Sequence, residues 1–288
     1  MYSAHFGLRE QPFGLTPDLD YLYADAQHQA ALDLAMRALL RGDGFVKITG
    51  EVGTGKTLLC RRLMAALPAS VVTAYLCIPH VDPQAVLKAV ASELDVLISA
   101  DADAFEVHRA LEAELRRLTL GGHRVVLCVD EAHALPPAAL EALRLLSNLE
   151  TDKRKLIQVV LVGQRELDGL LRHDALRSLA SRIEVSLSLG SLPYQDFRRY
   201  LKHRLMVSGW QGPKVFSDGA TQILWRASKG IPRLGNVLAH QCLARAQRRG
   251  VHRVCCVDAL TVWIDRWRTF DAVSGRSSWA TSWQGGQT

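Results

Sequence analysis

The residues Gly50-Glu51-Val52-Gly53-Thr54-Gly55-Lys56-Thr57 decide the fold, because they match the pattern G-x-x-x-x-G-K-T of a phosphate-binding P-loop. The glycines let the backbone turn so that its N–H groups point at phosphate oxygens, an approach that side chains would block. Residues 45–49 before the loop predict a buried strand, and residues 57–64 after it predict a helix whose N-terminus faces the phosphates. With this context, a glycine-rich turn that matches by chance is the weaker interpretation.

The chemistry of a P-loop assigns roles to its side chains. Lys56 neutralises the β- and γ-phosphates of a nucleoside triphosphate, and the Thr57 hydroxyl ligates Mg²⁺. We therefore expect ATP and Mg²⁺ as ligands. The predicted ATP contacts in this stretch are Gly50, Glu51, Val52, Gly53, Thr54, Gly55, Lys56, Thr57 and Leu58.

A second motif follows an apolar strand, where Val125–Val129 ends in Asp130-Glu131. We expect Asp130 to hold Mg²⁺ through water and Glu131 to polarise the water that attacks the γ-phosphate, because a metal-bound Asp is a poor base. Asp130 lies 73 residues after Thr57, which suits a sheet with another strand between the two motifs. The alternative is a strand that ends in two solvated acids.

Three further polar residues are candidates for the same chemistry. Gln164 follows the next apolar strand, where its side chain would lie beside the γ-phosphate and help to position the water. Arg177 and Arg182 flank the residues before the last strand, and an arginine there could reach a neighbouring subunit's γ-phosphate as an arginine finger. Arg182 is the preferred candidate, and either arginine could instead be a plain surface residue.

Strands alternate with helices up to residue 187, which predicts βαβ units and a mostly parallel sheet with helices on both faces. From Pro193 onward the strands disappear. The predicted strands cover residues 45–49, 71–77, 125–129, 156–162 and 183–187, and the helices between and before them cover 27–40, 57–64, 83–94, 104–118, 136–149 and 167–179. Four more helices are predicted over residues 194–207, 217–227, 233–249 and 257–267.

The charge distribution supports two domains with different partners. Residues 189–270 contain 14 Lys and Arg against four Asp, a net charge of +10, whereas the first 188 residues have a net charge of −4. We predict a P-loop domain over 1–188 with an irregular, aromatic-rich N-terminal arm over 1–26. A helical domain follows over 189–270, and a disordered tail over 271–288.

The composition and the ends of the chain indicate a cytoplasmic protein. No secretory signal and no apolar run of membrane-spanning length is visible, and the six Cys include no C-x-x-C pair. Any association with the inner membrane is expected to be peripheral and to depend on partners.

In the predicted helical domain, Gly230-Ile231-Pro232-Arg233 precedes a helix. A cation in the first helical turn is disfavoured by the helix macrodipole, so Arg233 is expected to serve an anion such as the γ-phosphate. A surface arginine is the alternative.

Taken together, the P-loop, Asp130-Glu131, Gln164, Arg182 before the fifth strand and Arg233 in a helical lid resemble the AAA+ ATPases. The N-terminal stretch is more specific. Residues 6–13 (FGLREQPF), Thr16-Pro17-Asp18 and His28, together with the P-loop, are similar to the ExeA/GspA secretion ATPases and to the MshM-type ATPase of mannose-sensitive haemagglutinin (MSHA, type IV) pilus biogenesis.

This resemblance, over residues 1 to about 270, implies an AAA+ three-layer αβα domain followed by a small helical lid. It also implies ATP hydrolysis, ring or filament oligomers with shared ATP sites, and a supporting role in the assembly of a pilus or secretion machine. Phe13 and His28 would lie near the adenine, although both could be structural. ExeA-type proteins continue into a membrane span and a periplasmic peptidoglycan-binding region, which are not found here, so MshM is the closer expectation.

Two other functions remain open at this point. The basic helical domain could grip double-stranded DNA, as in transposition regulators of the TnsC/TniB type, although no helix-turn-helix follows it. An ATP-dependent scaffold with little turnover is the second alternative, and Glu131 argues against it because a scaffold needs no water-activating base.

Overall fold

The computed structural model describes residues 2–42, 44–77, 82–151 and 154–274. Within these residues, no helix is long and apolar enough to span a lipid bilayer. The strands are β1 (Phe45–Gly50), β2 (Val71–Leu76), β3 (Arg124–Val129), β4 (Ile157–Gly163) and β5 (Ile183–Leu189). The helices are α1 (Tyr2–Phe6), α2 (Ala26–Arg41), α3 (Lys56–Ala66), α4 (Pro83–Glu93), α5 (Ala104–Leu120), α6 (Pro137–Leu146), α7 (Glu166–Leu170), α8 (Arg177–Ala180), α9 (Tyr194–Val207), α10 (Asp218–Ser228), α11 (Pro232–Arg248) and α12 (Cys256–Ser274).

The contacts within the chain divide it into two units. Residues 17–190 form an α/β unit, and residues 2–16 join residues 191–274 in a helical unit. The sequence-based prediction differs, because it attached the whole arm 1–26 to the P-loop domain. The arm lacks a pattern of its own, and buried side chains of the helical unit decide where its first part belongs.

The α/β unit is built on a parallel sheet in the order β2-β3-β4-β1-β5. Strand β4 therefore lies between β1 and β3, as the spacing between the two motifs predicts. Thr49 at the end of β1 pairs with Gly163 at the end of β4, and Val129 at the end of β3 pairs with Leu161. Since parallel strands end at one edge, the P-loop, Asp130 and Gln164 all leave the sheet on the same side.

The central strands are buried on both faces, which makes the unit a three-layer αβα structure. On β4, Val159 and Leu161 belong to one apolar cluster, and Val160 and Val162 belong to the other. Helices α4, α5 and α6 contribute to the first cluster, and α2 and α3 contribute to the second. Near-continuous apolar runs are typical of parallel strands covered on both sides. The predicted fold class is confirmed.

The predicted helix over 167–179 is wrong, because this segment forms α7, a short 3₁₀ turn and α8. Four leucines of the segment are buried: Leu167, Leu171, Leu176 and Leu179. On one continuous helix, the 100° rotation per residue would turn Leu176 to the side opposite Leu167. Breaking the helix allows all four side chains to enter the same core.

The N-terminal arm is held inside the helical unit. Arg204 of α9 is buried, donates from Nε to the carbonyl of Pro12, and reaches the carbonyl of Gly14 at 3.3 Å. Asn236 of α11 donates to the same Gly14 oxygen at 3.3 Å. The five-residue helix α1 is too short for a periodic pattern and was missed by the prediction. It forms because Tyr2 and Phe6 are buried on one of its faces.

The C-terminal helix is longer than predicted. Helix α12 continues to Ser274, so residues 271–274 of the predicted disordered tail are helical. Residues 275–288 of that predicted tail lie outside the described residues.

Candidate nucleotide-binding site

The P-loop connects β1 to α3 and has the backbone geometry of a phosphate cradle. A Cβ atom on Gly50 would lie 2.5 Å from the carbonyl oxygen of Leu189, so no side chain fits there. Gly55 adopts φ 98°, in the left-handed region that favours glycine, and caps α3 without any side-chain hydrogen bond. The N–H groups of the first turn of α3 therefore remain available to an anion.

The side chain of Lys56 lies inside this loop. Its Nζ donates to the main-chain carbonyls of Gly50 and Glu51, both at 2.9 Å, and the residue is only 6% exposed. Burial lowers the pKa of Lys56, and the nearby carboxylates of Glu131 and Asp130 oppose this effect without cancelling it. A cation held within the turn of the P-loop is suited to phosphate oxygens.

The two motifs meet at Asp130, whose carboxylate is buried and surrounded by donors. The Thr57 hydroxyl donates to Oδ2 of Asp130 at 2.7 Å, and the Tyr75 hydroxyl donates to the same oxygen at 2.9 Å. The N–H of Glu131 donates to the other oxygen, Oδ1, at 2.9 Å. Burial and the neighbouring Asp130 raise the pKa of Tyr75, which keeps its hydroxyl a neutral donor. These bonds fix the orientation of the Asp130 carboxylate.

The oxygens at this point fit a magnesium ion. Thr57 and Asp130 present a hydroxyl and a carboxylate, which are hard oxygen ligands, next to the phosphate cradle. Among the described residues, no three His, Cys, Asp or Glu side chains form a cage that could hold a metal ion. This agrees with the chemistry of Mg²⁺, which is usually held by one or two protein oxygens together with phosphates and waters.

Glu131 has a strained backbone. Its φ of 55° lies in the left-handed region, which costs a non-glycine residue about 1–3 kcal/mol and is commonly found at functional sites. Its Oε2 lies 3.4 Å from Nδ1 of His133, and its side chain is partly exposed. The Glu131 carboxylate therefore remains open to water.

His133 was missed by the sequence analysis, although it contacts two predicted site residues. Its Nδ1 is 3.4 Å from Glu131 Oε2 and also 3.4 Å from the main-chain N–H of Gln164. The spacing Asp130-x-x-His133 after the apolar strand was the available signal. Tyr75 was missed as well, and no local signal identifies it, because it is one alternating residue of a strand.

Gln164 follows β4 and lies between the ends of β1 and β3. Thr49 pairs with Gly163, so Gln164 is next to the beginning of the P-loop. The side chain of Gln164 is half-buried. The structure therefore brings Lys56, Thr57, Asp130, Glu131 and Gln164 to one edge of the sheet.

The imidazole ring of His28 contacts the backbone of the P-loop. Its Nε2 donates to the carbonyl of Thr54 at 2.9 Å, and its Nδ1 is 2.6 Å from Oδ2 of Asp25. A Cβ atom on Gly55 would lie 3.1 Å from His28 Nε2, so ring and loop are closely packed. These contacts are with protein groups, and the predicted role of His28 near adenine stays a prediction.

Comparison with known sequences decides the family. The AAA domain family matches residues 39–171, which contain the P-loop, Asp130 and Gln164. General secretion pathway protein A (GspA) of Aeromonas hydrophila is 42% identical over 254 residues, which cover 88% of this chain and 46% of that protein. This chain is a relative of GspA that contains an AAA domain. It spans less than half the length of the A. hydrophila relative, and the closer likeness to MshM stays a prediction.

Solved structures share the fold of this GspA-type chain at low identity. The ORC1 protein of Aeropyrum pernix in complex with DNA has a TM-score of 0.66 at 22% identity. The match covers 92% of this chain and 71% of the ORC1 chain. The A. pernix ORC2 protein in ADPNP-ADP complexes has a TM-score of 0.61 at 19% identity, with coverages of 82% and 66%. At these identities the likeness shows the fold alone.

Of the two candidate arginine fingers of the GspA-type chain, Arg182 lies at the amino end of β5, away from the carboxyl ends of the strands that meet at the P-loop. Arg182 immediately precedes β5 and is half-buried, whereas Arg177 begins α8 and is exposed. Strand β5 runs parallel to β1, whose carboxyl end leads into the P-loop. At about 3.3 Å per residue, the seven residues of β5 separate Arg182 from that edge by roughly 20 Å.

The remaining two predicted ATP contacts belong to the helical unit. Phe13 is 2% exposed, and its ring lies edge-on to Phe216 at a centroid distance of 5.9 Å. Arg233 is the second residue of α11, and its side chain is exposed. Their proposed contacts with adenine and the γ-phosphate stay predictions.

Proposed function

We propose that this GspA-type chain binds ATP with Mg²⁺ and hydrolyses it. The observation that carries the proposal is the 2.7 Å hydrogen bond between Thr57 and Asp130, which joins two motifs 73 residues apart. It puts the oxygens suited to Mg²⁺ next to the Lys56 ammonium and the N-terminus of α3. A Gly-rich turn that matched the P-loop pattern by chance would not be expected to contact a buried carboxylate.

Each residue at this edge has one chemical task. Lys56 and the free N–H groups of α3 hold the phosphates. Thr57 and Asp130 would hold Mg²⁺, directly or through water, and the bound ion would neutralise phosphate charge. Glu131 accepts the proton of the attacking water, and Gln164 orients that water. The left-handed backbone of Glu131 sets the direction of its side chain, and the His133 ring lies beside the carboxylate, with Nδ1 3.4 Å from Oε2.

Turnover is proposed to need a neighbouring subunit. Arg182 lies roughly 20 Å along β5 from the P-loop edge, farther than an arginine side chain can reach, so an effect on ATP has to act on another copy. This supports Arg182 as an arginine finger in a ring or filament. Arg233 is proposed as a second cation for the γ-phosphate.

The biological setting is proposed from the family. A relationship to general secretion pathway protein A supports a role in assembling secretion machinery, and MSHA pilus biogenesis is the more specific version of that role. Partners would then be secretion or pilus proteins, with the chain working at the cytoplasmic side of the inner membrane. Similarity to a secretion protein gives no support to the alternative of a DNA-binding regulator.

The decisive experiment compares two variants at the proposed site. Glu131→Gln should bind ATP like the wild type but turn over at least ~100-fold more slowly, because the amide cannot accept the proton. Lys56→Ala should lose ATP binding itself. Normal turnover by Glu131→Gln would overturn the assignment.

Wild-type turnover per subunit should rise with protein concentration, because sites completed by a neighbour require association. The same titration with double-stranded DNA at low and moderate salt tests the DNA-binding alternative. Strong stimulation that weakens with salt would move the function to a nucleic-acid regulator.

A further inference from the structure

The helical unit contains a cavity of about 780 Å³ between α9 and the segment 210–216. We call it the basic pocket. This volume lies in the range typical of ligand-binding clefts. Its floor is apolar and consists of the buried side chains Leu201, Leu205, Val215 and Phe216. Met206 and Trp210 add partly exposed apolar surface at its edge.

The rim of the basic pocket is positively charged. Arg198, Arg199, Lys202 and Lys214 line it. Asp196 is 3.4 Å from Arg199, and Asp218 pairs with Lys214, so two of the four cations are balanced locally. Four cations against two carboxylates leave the rim with a net charge of +2, and Arg198 and Lys202 lie one helical turn apart on α9. A ligand for this pocket should therefore combine an apolar group with negative charge.

The α/β unit has a surface that combines negative charge with exposed apolar side chains. Residues 93–106, which we call the acidic segment, contain five acidic residues and no Lys, Arg or His. All five acidic side chains are exposed. Two large apolar side chains are exposed among them, Leu97 at 99% and Phe105 at 73%. A fully exposed leucine and a largely exposed phenylalanine within such a short stretch are typical of an interaction surface.

A capping box fixes the backbone beside Phe105, which reduces the entropic cost of binding. Asp103 caps α5 by accepting from the N–H of Glu106 at 2.8 Å, and Glu106 accepts from the N–H of Asp103 at 3.1 Å. This reciprocal capping box holds Phe105 in the first turn of the helix. An aromatic ring presented on a fixed backbone is suited to act as an anchor.

We propose that the acidic segment of one copy docks in the basic pocket of a second copy, with Phe105 inserted against the apolar floor. The two surfaces complement each other in charge, and the exposed apolar side chains of the acidic segment match the apolar floor of the basic pocket. This inference rests on the self-association in the proposed function and names the surfaces that would carry it. When the segment and the pocket of one copy engage two different neighbours, the contact is heterologous and builds a ring or a filament.

Sedimentation of the full chain with Mg²⁺ and a non-hydrolysable ATP analogue tests the proposal. Phe105→Ala and Lys202→Glu should each weaken self-association by roughly tenfold or more, the usual effect of removing a central anchor. Leu120→Ala is the matched apolar control, since Leu120 is 90% exposed at the other end of α5. Arg226→Glu is the matched charge control, on α10 and outside the pocket lining. Wild-type association should also weaken as salt increases.

Mixing the two defective variants separates a direct contact from a general loss of structure. Phe105→Ala keeps an intact basic pocket, and Lys202→Glu keeps an intact acidic segment. An equimolar mixture should therefore form a 1:1 heterodimer under conditions where each variant alone is monomeric. A mixture that stays monomeric would overturn the proposal, as would variants that associate like the wild type.

Nucleotide binding keeps this test distinct from the test of the proposed function. Both variants should bind ATP like the wild type, because neither residue belongs to the nucleotide site. If the variants still associate while Glu131→Gln stops turnover, the docking surfaces are wrong and the ATPase assignment stands. A wild-type chain that binds ATP but sediments as a monomer at every accessible concentration would overturn the docking proposal as well.

Discussion

His28 donates from Nε2 to the main-chain carbonyl of Thr54 at 2.9 Å and thereby ties α2 to the P-loop. Its other ring nitrogen is 2.6 Å from the Asp25 carboxylate. Both partners can only accept, so the ring satisfies both contacts as an imidazolium ion. Burial lowers the pKa of His28, but the hydrogen bond and charge of Asp25 outweigh it, and the net shift is upward.

Because the pKa of His28 is raised on folding, its contribution to stability should be fully present below the unfolded value of about 6.5 and should decline as pH rises through the folded value. His28→Ala should cost roughly 1–3 kcal/mol near neutral or mildly acidic pH and less at alkaline pH. Urea denaturation at several pH values measures this difference. His173→Ala, at an exposed site, is the control. A cost for His28→Ala that does not change with pH would show that the ring is neutral.

At low pH, the contribution of the His28–Asp25 pair to stability depends on the protonation of Asp25. Burial raises the pKa of Asp25, and hydrogen bonds from His28 more than reverse this, so the folded pKa is lowered. Its contribution should be present above the unfolded value of about 3.9 and lost as pH falls through the folded value. The pair should therefore stabilise the P-loop most in mildly acidic solution. Asp25→Asn should shift the acid midpoint of unfolding upward.

Tyr75→Phe tests whether orientation of Asp130 matters for magnesium. The variant keeps the ring but removes the hydroxyl that donates to Asp130 at 2.9 Å, leaving the bond from Thr57 in place. Loss of such a supporting bond typically weakens metal affinity by about 10–100-fold. A Mg²⁺ titration of nucleotide binding measures this effect, with Tyr194→Phe in the helical unit as control. An unchanged Mg²⁺ requirement would mean that Thr57 alone orients the carboxylate.

Arg182→Ala should lower turnover by roughly 10³-fold without weakening ATP binding, because the side chain acts on a neighbour's phosphate. Arg177→Ala serves as the comparison. Mixing Arg182→Ala with Lys56→Ala should restore part of the rate, since one variant supplies an intact P-loop and the other an intact arginine. A wild-type rate in Arg182→Ala would transfer the role to Arg177.

Arg204→Met should destabilise the chain and release the N-terminal arm. The buried guanidinium bonds the carbonyls of Pro12 and Gly14, and these bonds cannot be replaced by a thioether. We expect a loss of roughly 2–4 kcal/mol in the free energy of unfolding. Faster proteolysis within residues 9–16 would accompany it. Arg226→Met, at an exposed site, is the control, and equal stability of the two variants would contradict the bracing role.

The P-loop, the apolar strands and the alternation with helices could be predicted because each depends on local rules. A glycine is required where a side chain would clash, and a strand covered on both faces needs a continuous apolar run. The presence of another strand between the two motifs was also predicted, from their spacing of 73 residues, and the sheet order shows that this strand is β4. These rules apply to a short stretch of sequence and do not depend on residues that are distant in the chain.

The contacts that set the site's details could not be predicted in this way. Tyr75 is 55 residues from Asp130 in the sequence, and His28 is 26 residues from Thr54, so no local pattern links either pair. The same holds for the broken helix around Leu176, where burial of four leucines overrides helical periodicity. The arm's place beside Arg204 was also decided by distant partners.

The sequence by itself thus determined the family, the sheet and the residue types that meet a nucleotide. Only the tertiary structure decided which groups hold those residues in position: Tyr75 on Asp130 and His28 on the P-loop. The physical reason is that a motif records what its own backbone and ligand require. A supporting hydrogen bond can come from any residue that the fold brings within about 3 Å.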